Sequence, residues 1–174
     1  MNEPDGIEFL FRPATADDLD FLIDMLVEAA NWTPGRAYTR DDVLADEVLR
    51  RYVDGWPRAD DRGVVAIDLE ERPVGAAWRR FLTEASPGHG FVRADIPELT
   101  MGVLADWRGH GIGRALLEEL TRSAREARLP GISLSVERAN FAAQLYTDHG
   151  FQVVVSGHDS DTMLLTLRRT EPGH

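Results

Sequence analysis

The segment Arg108-Gly109-His110-Gly111-Ile112-Gly113-Arg114-Ala115 constrains the chain more than any other. It follows a strand-like apolar run, Leu99 to Leu104. It opens an amphipathic helix over about 112–127, with Leu116, Leu117 and Leu120 on the inward side. Glycines let a backbone turn sharply and approach a ligand with no side chain in the way. The first N–H groups of the helix have no internal partner, and the helix dipole favours an anion over them. A diphosphate suits such a site, with Arg108 and Arg114 adding charge-assisted contacts. No Gly-Lys-Ser/Thr follows, so this is not a Walker loop. The glycine spacing and the late position also depart from the dinucleotide fingerprint.

The rest of the chain frames that turn. Residues 7–12 predict a first strand, ended by Pro13. Thr15 with Asp17 and Asp18 signals a helix start, and Leu19, Leu22, Ile23, Leu26 and Val27 recur at helical spacing. A second helix is predicted from Asp41 to Val53, with Val43, Leu44, Val48, Leu49 and Tyr52 as its buried stripe. Residues 63–69 and 74–82 read as a hairpin. Residues 83–95 read as a flexible loop in which Gly88-His89-Gly90 would hinge a lid. After the glycine turn come a buried strand at 132–136, a short helix at 140–149 stopped by Gly150, and closing strands at 151–156 and 163–167. No repeat or linker interrupts the 174 residues, so one mixed α/β domain over 1–174 is expected, its core at about 7–167.

Charge and composition exclude several classes. The formal net charge of -11 argues against a nucleic-acid binder and suits a cationic substrate. The chain lacks cysteine, which removes disulfides, thiolate metal sites and a cysteine nucleophile. Met1 to Gly6 show no signal pattern, and no apolar run approaches the roughly 20 residues that span a bilayer. A cytoplasmic location without membrane contact is the expectation.

Arg108-x-x-Gly111-x-Gly113 resembles the Q/R-x-x-G-x-G/A diphosphate loop of the GNAT superfamily of N-acetyltransferases. A second segment matches independently: Asn140, Ala143, Leu145, Tyr146, Gly150 and Phe151 follow that family's N-x-x-A-x-x-L-Y-x-x-x-G-F pattern. The order βααβββαβαββ also agrees. The family often has proline two residues after the strand valine, where this chain reads Ala105-Asp106, a departure confined to the loop. The resemblance implies an α/β (α+β) fold with a mixed sheet of about seven strands, splayed between the fourth and fifth, and about four helices. It implies acetyl-CoA as co-substrate, no metal, and direct acetyl transfer to the primary amine of a small molecule through a tetrahedral intermediate. A dimer would be usual for the family. Alternatives are an acyl-CoA-binding sensor or partner module without turnover, an acetyltransferase for protein N-termini or side chains, and a domain for another nucleotide.

That chemistry makes three demands. An alkylamine with pKa near 10 is neutral in only about one part in a thousand at pH 7, so deprotonation costs roughly 4 kcal/mol without a base. The carbonyl needs a donor and the departing thiolate needs a proton. The resemblance places pantetheine beside the Gly102 to Leu104 backbone, with the Val103 N–H on the carbonyl. Gly102 is a candidate bulge. The cofactor set is then Val103, Leu104, Arg108, Gly109, His110, Gly111, Ile112, Gly113, Arg114 and Asn140. The last of these would either cap its helix or bond the pantetheine arm. Tyr146 matches the family tyrosine near the sulfur and is the candidate acid. Glu98, at the start of the central strand, is the candidate base, acting directly or through water; Glu137, after the fifth strand, is the competitor. His149 would complement a helix C-terminus. His89, His158 and His174 lie in loops or the tail. The acceptor wall would draw on Trp32, Tyr38, Trp56 and Trp78, with Asp41, Asp42 and Asp46 attracting a cation.

Overall fold

The computed structural model describes residues 8–168, so Ile7 at the expected start of the first strand, and His174, lie outside the described residues. A seven-stranded sheet runs in the order β1-β2-β3-β4-β5-β7-β6. Its strands are β1 (Leu10–Pro13), β2 (Arg62–Ile67), β3 (Pro73–Arg80), β4 (Glu98–Val103), β5 (Gly131–Glu137), β6 (Gln152–Ser156) and β7 (Ser160–Thr166). The helices are α1 (Leu19–Ala30), α2 (Arg40–Ala45), α3 (Glu47–Arg50), α4 (Ile112–Glu126) and α5 (Ala142–His149). All strand pairs are antiparallel except β4 with β5, which run parallel and share a single register pair, Glu98 with Ser133. Beyond that pair the two strands part, as the resemblance implied. No helix among the described residues is long and apolar enough to cross a membrane.

Each face of the sheet buries its own core. On one face α4 lays Leu116, Leu117, Leu120 and Ala124 against Ala66, Val74, Ala77, Leu99, Ile132 and Leu134, and Tyr146 of α5 joins with Phe151. On the other, α1 packs Leu22, Met25 and Leu26 with Val65, Ala76 and Trp78. Strand alternation sorts the two sets, except at the β2–β3 irregularity, where Val74 joins Ala77 in the α4 core. The start signal read from Thr15 is a capping box: the Asp17 N–H donates to the Thr15 hydroxyl, while the Asp18 carboxylate accepts from the Thr15 N–H at 2.7 Å. Arg12 fixes the same carboxylate at 2.7 Å and holds its pKa below the usual range.

Three expectations change. The helix expected over 41–53 is broken at Asp46, whose extended backbone ends α2 while its carboxylate caps α3 through the Val48 and Leu49 N–H groups. An aspartate that competes for local N–H groups stops a helix and starts another. Gly102 is no bulge, because β3 and β4 pair in unbroken register through it. It lets α1 approach: a Cβ there would lie 2.4 Å from the Met25 carbonyl oxygen. Trp56 and Trp78 are core, donating their indole N–H groups to the Thr15 and Tyr52 carbonyls.

The turn after α3 is held down by a buried ion pair. Arg80 meets Asp61 at 2.7 Å with both side chains almost wholly inaccessible, and it also donates to the Arg51 carbonyl. Tyr52 is thereby fixed under the sheet's open seam.

Candidate active site

The parting of β4 from β5 opens a cleft of about 750 Å³ that runs from the mouth of α4 to the loop after α1. At the α4 end, Gly109 and Gly111 adopt left-handed φ of 79° and 83°, which turns the chain back on itself. Gly111 carries no capping side chain, and the Ala115 N–H is the first to find its helical carbonyl. The N–H groups of Gly111, Ile112, Gly113 and Arg114 therefore have no partner among the described residues. The Ile112 side chain is buried in the α4 core, so only its amide faces the cleft. The exposed Arg114 guanidinium has no ion-pair partner among the described residues. Arg108 differs: it is tied to Glu28 at 3.0 Å and to the Val103 carbonyl at 3.3 Å, strapping the end of β4 to the end of α1.

Two expected cofactor contacts are not brought to the cleft. Leu104 donates its N–H to the Val74 carbonyl at 2.9 Å, so that amide points toward β3, and its half-buried side chain sits between the two cores. His110 is exposed on the outer side of the turn and does not line the cleft. Strand alternation then sets the direction of the remaining amides. With Leu104 bonded toward β3 and the Pro97 carbonyl accepting from Ser133 of β5, the Met101 and Val103 N–H groups face the gap.

On the far wall, Asn140 accepts from the Ala142 N–H at 2.9 Å through Oδ1, opening α5, and its Nδ2 has no partner among the described residues. The cap uses one end of the amide and leaves the other toward the cleft. Tyr146 also lines the cleft, edge-on to Phe151 at 5.7 Å. Burial drives its phenol pKa far above the ordinary value, so it stays protonated. His149 bonds Thr121 of α4 at 3.0 Å and is pushed toward its neutral form by burial, which makes it a tie between helices rather than a cation on the helix end.

Both carboxylates considered as bases are committed elsewhere. Glu98 is 1% exposed and accepts from the Tyr52 hydroxyl at 2.8 Å, the Gly90 N–H at 2.8 Å and the Gly88 N–H at 3.0 Å. Burial raises its pKa against the opposing pull of those donors. It stands behind the cleft wall, so direct contact with an acceptor is closed to it. Glu137 does line the cleft, but Arg36 grips it bidentately at 2.6 and 2.8 Å and the Trp32 indole adds a third bond. Arg36 consequently depresses the Glu137 pKa and weakens it as a base.

The lid expectation for residues 88–90 also fails on packing. A Cβ on Gly88 would sit 2.4 Å from Glu98 Oε1, and one on Gly90 2.5 Å from the Leu134 carbonyl carbon. These glycines permit close approach, and the loop is pinned. Of the expected acceptor residues, Trp32, Tyr38 and Asp46 line the cleft, and Asp42 borders an adjoining hollow. Asp41 borders neither. Sequence reasoning missed Arg36, which gave no local signal because its partner is 101 residues away. Among the described residues no group of three or more His, Asp or Glu is placed to hold a metal.

The family model described as an acetyltransferase (GNAT) domain matches residues 60–153. Mycothiol acetyltransferase of Nocardiopsis dassonvillei is 32% identical over 137 residues, covering 73% of this chain and 37% of that protein. Its namesake from Propionibacterium freudenreichii is 31% identical, covering 79% and 41%. The chain thus spans about two fifths of the length of these relatives. Among solved structures, a Salmonella typhimurium protein holding its cofactor acetyl-CoA superposes with TM-score 0.68 at 20% identity, over 96% of this chain and 98% of its own. Ribosomal-protein-alanine N-acetyltransferase of Brucella melitensis gives 0.65 at 26% identity, over 91% and 99%.

Proposed function

The chain belongs to the GNAT acetyltransferase family, and we propose that it is an acetyl-CoA-dependent N-acetyltransferase acting on the primary amine of a small molecule. The observation that carries the reading is the row of unpartnered N–H groups from Gly111 to Arg114, open to a cleft that continues between two parting strands. These amides fit a diphosphate by charge and direction. The gap offers the Met101 and Val103 amides to a pantetheine arm that bonds like a strand. The acetyl-CoA in the Salmonella neighbour, a likeness covering nearly the whole chain, supports the same ligand.

The roles follow from position. The Gly111, Ile112, Gly113 and Arg114 amides and the Arg114 guanidinium bind diphosphate, and Gly109 shapes the turn. Arg108 braces the end of β4 through Glu28. The Val103 N–H donates to the thioester carbonyl, where negative charge develops. Asn140 offers Nδ2 to the arm. Tyr146 donates to the leaving sulfur; burial keeps its phenol protonated, so the proton is present when the thiolate departs. Glu98 is a positioning residue, anchoring Tyr52 and the 88–90 loop. The net charge of -11 favours a cationic small molecule over nucleic acid as the partner of this site.

Thiol release from acetyl-CoA, measured across spermidine, glucosamine, phenethylamine and alanylglycine, tests the reading. Amine-dependent release is the expected result. Acetyl-CoA binding with no release on any amine would leave a binding module, and no binding at all would refute the assignment.

A further inference from the structure

With Glu98 sealed and Glu137 clamped, the site as described lacks a group to take the ammonium proton. Glu28 is spent on Arg108, and the Asp46 carboxylate caps α3. We propose that His89 is the general base, presented to the cleft by a loop pinned through Glu98 and Tyr52. This rests on the acetyltransferase reading above.

His89 is exposed and lines the cleft, and neither ring nitrogen has a partner among the described residues. Its backbone, by contrast, is fixed at every point. Its N–H donates to the Tyr52 hydroxyl at 2.8 Å, and its carbonyl accepts from Thr162 on β7 at 3.4 Å. The residues on either side donate to the two oxygens of Glu98. Glycine is required at both flanks, since a Cβ on Gly88 would also lie 2.5 Å from the Tyr52 oxygen, and one on Gly90 2.7 Å from the Ser135 nitrogen. Gly90 thus packs under the Leu134–Ser135 peptide, next to Ser133, the last residue of β5 paired with β4. His89 is therefore set where the strands begin to part. The buried carboxylate, useless as a base, holds the mount for one.

The charged surroundings define the pH response. Glu98 lies directly behind His89 and Tyr52 beside it, and its carboxylate feels the imidazole. Asp46, Arg36 with Glu137, and Tyr38 share the cleft with it, and Thr162 and Ser160 on β7 do not titrate near neutrality. An imidazole nitrogen with no protein partner can accept a proton from an ammonium and pass it to solvent, which matches the demand.

The proton balance closes. His89 takes one proton from the ammonium and passes it to solvent. The C–N bond forms at the thioester carbon, and the C–S bond breaks with its electron pair on sulfur. Tyr146 protonates the sulfur and recovers the second proton that the nitrogen loses. One proton is released per turnover.

The test compares wild type with His89→Gln and His89→Ala, using the fastest amine of the panel above. His89→Gln should lower kcat/KM at pH 7 by about 100-fold with acetyl-CoA affinity changed less than about twofold. The acid limb of the wild-type pH profile should vanish, and the deficit should shrink at pH 9.5, where the amine sheds its own proton. Added imidazole should restore His89→Ala by at least about tenfold, a gain that a structural role would not give. An unchanged limb, or a loss under about threefold with no imidazole rescue, overturns His89 as base and leaves the acetyltransferase standing. Absence of wild-type turnover on every amine overturns both.

Discussion

Replacing Gly111 by aspartate separates the conformational role of this residue from its electrostatic one. Gly111 has φ of 83° and no atom within 4 Å of a Cβ built on it. A side chain therefore meets no steric block and carries only the cost of left-handed backbone, roughly 1–2 kcal/mol. That cost is shared by the free and loaded protein, so it lowers stability but cancels from affinity. The carboxylate does not cancel. At about 5 Å from a diphosphate charge, repulsion is about 0.8 kcal/mol in water and about 3.3 kcal/mol at an effective dielectric of 20. Gly111 is exposed, which favours the lower end. Two diphosphate charges then cost about 2–3 kcal/mol, or about 30- to 150-fold in Kd. Calorimetry with acetyl-CoA should show that loss for Gly111→Asp and less than about threefold for Gly111→Ala. Raising salt should shrink the difference, and acetyl-pantetheine, which lacks diphosphate, should bind both variants alike. Equal losses for alanine and aspartate, or an equal loss with acetyl-pantetheine, would refute anion capture by the α4 mouth.

Further outcomes follow from the described contacts. Tyr146→Phe should lower kcat by about 100-fold while acetyl-CoA affinity holds, and an unchanged kcat removes its role as donor to sulfur. Gly102→Ala forces α1 away from β4 and should cost about 2 kcal/mol, lowering Tm by about 4–8 °C; a shift under about 1 °C would contradict the close packing. Asp18 has a folded pKa depressed by Arg12, so its contribution is fully present above the unfolded value, about 3.9, and is lost as pH falls through the depressed one. Denaturant titrations should show Asp18→Asn flattening the stability profile below about pH 4, and an unaltered acid slope speaks against the Arg12 pair.

The parts of this site that were legible in sequence are those whose causes are local. The Gly109 to Gly113 turn announces itself because left-handed backbone requires glycine, and the α4 stripe because a helix repeats every turn. The break at Asp46 was hidden in an apolar periodicity that runs through it, since a capping aspartate leaves that pattern intact. Gly88, Gly90 and Gly102 looked like hinges or a bulge, yet they serve close approach to Glu98, Leu134 and Met25, which only the folded chain brings near. Arg36 with Glu137 and Tyr52 with Glu98 are long-range pairs for which composition and spacing carry no signal. Both carboxylates that looked available in sequence are engaged only in the folded chain.

The lone rung between β4 and β5 has a mechanical corollary. The sheet is two panels, β1 to β4 and β5 to β7, stitched at one end and bridged elsewhere by helices and loops. A strand-like guest lying in the gap replaces the missing stitches. Loading should thus tighten the molecule across its middle, with amide hydrogen exchange slowing along Met101, Val103 and β5 far more than along β1 or β6.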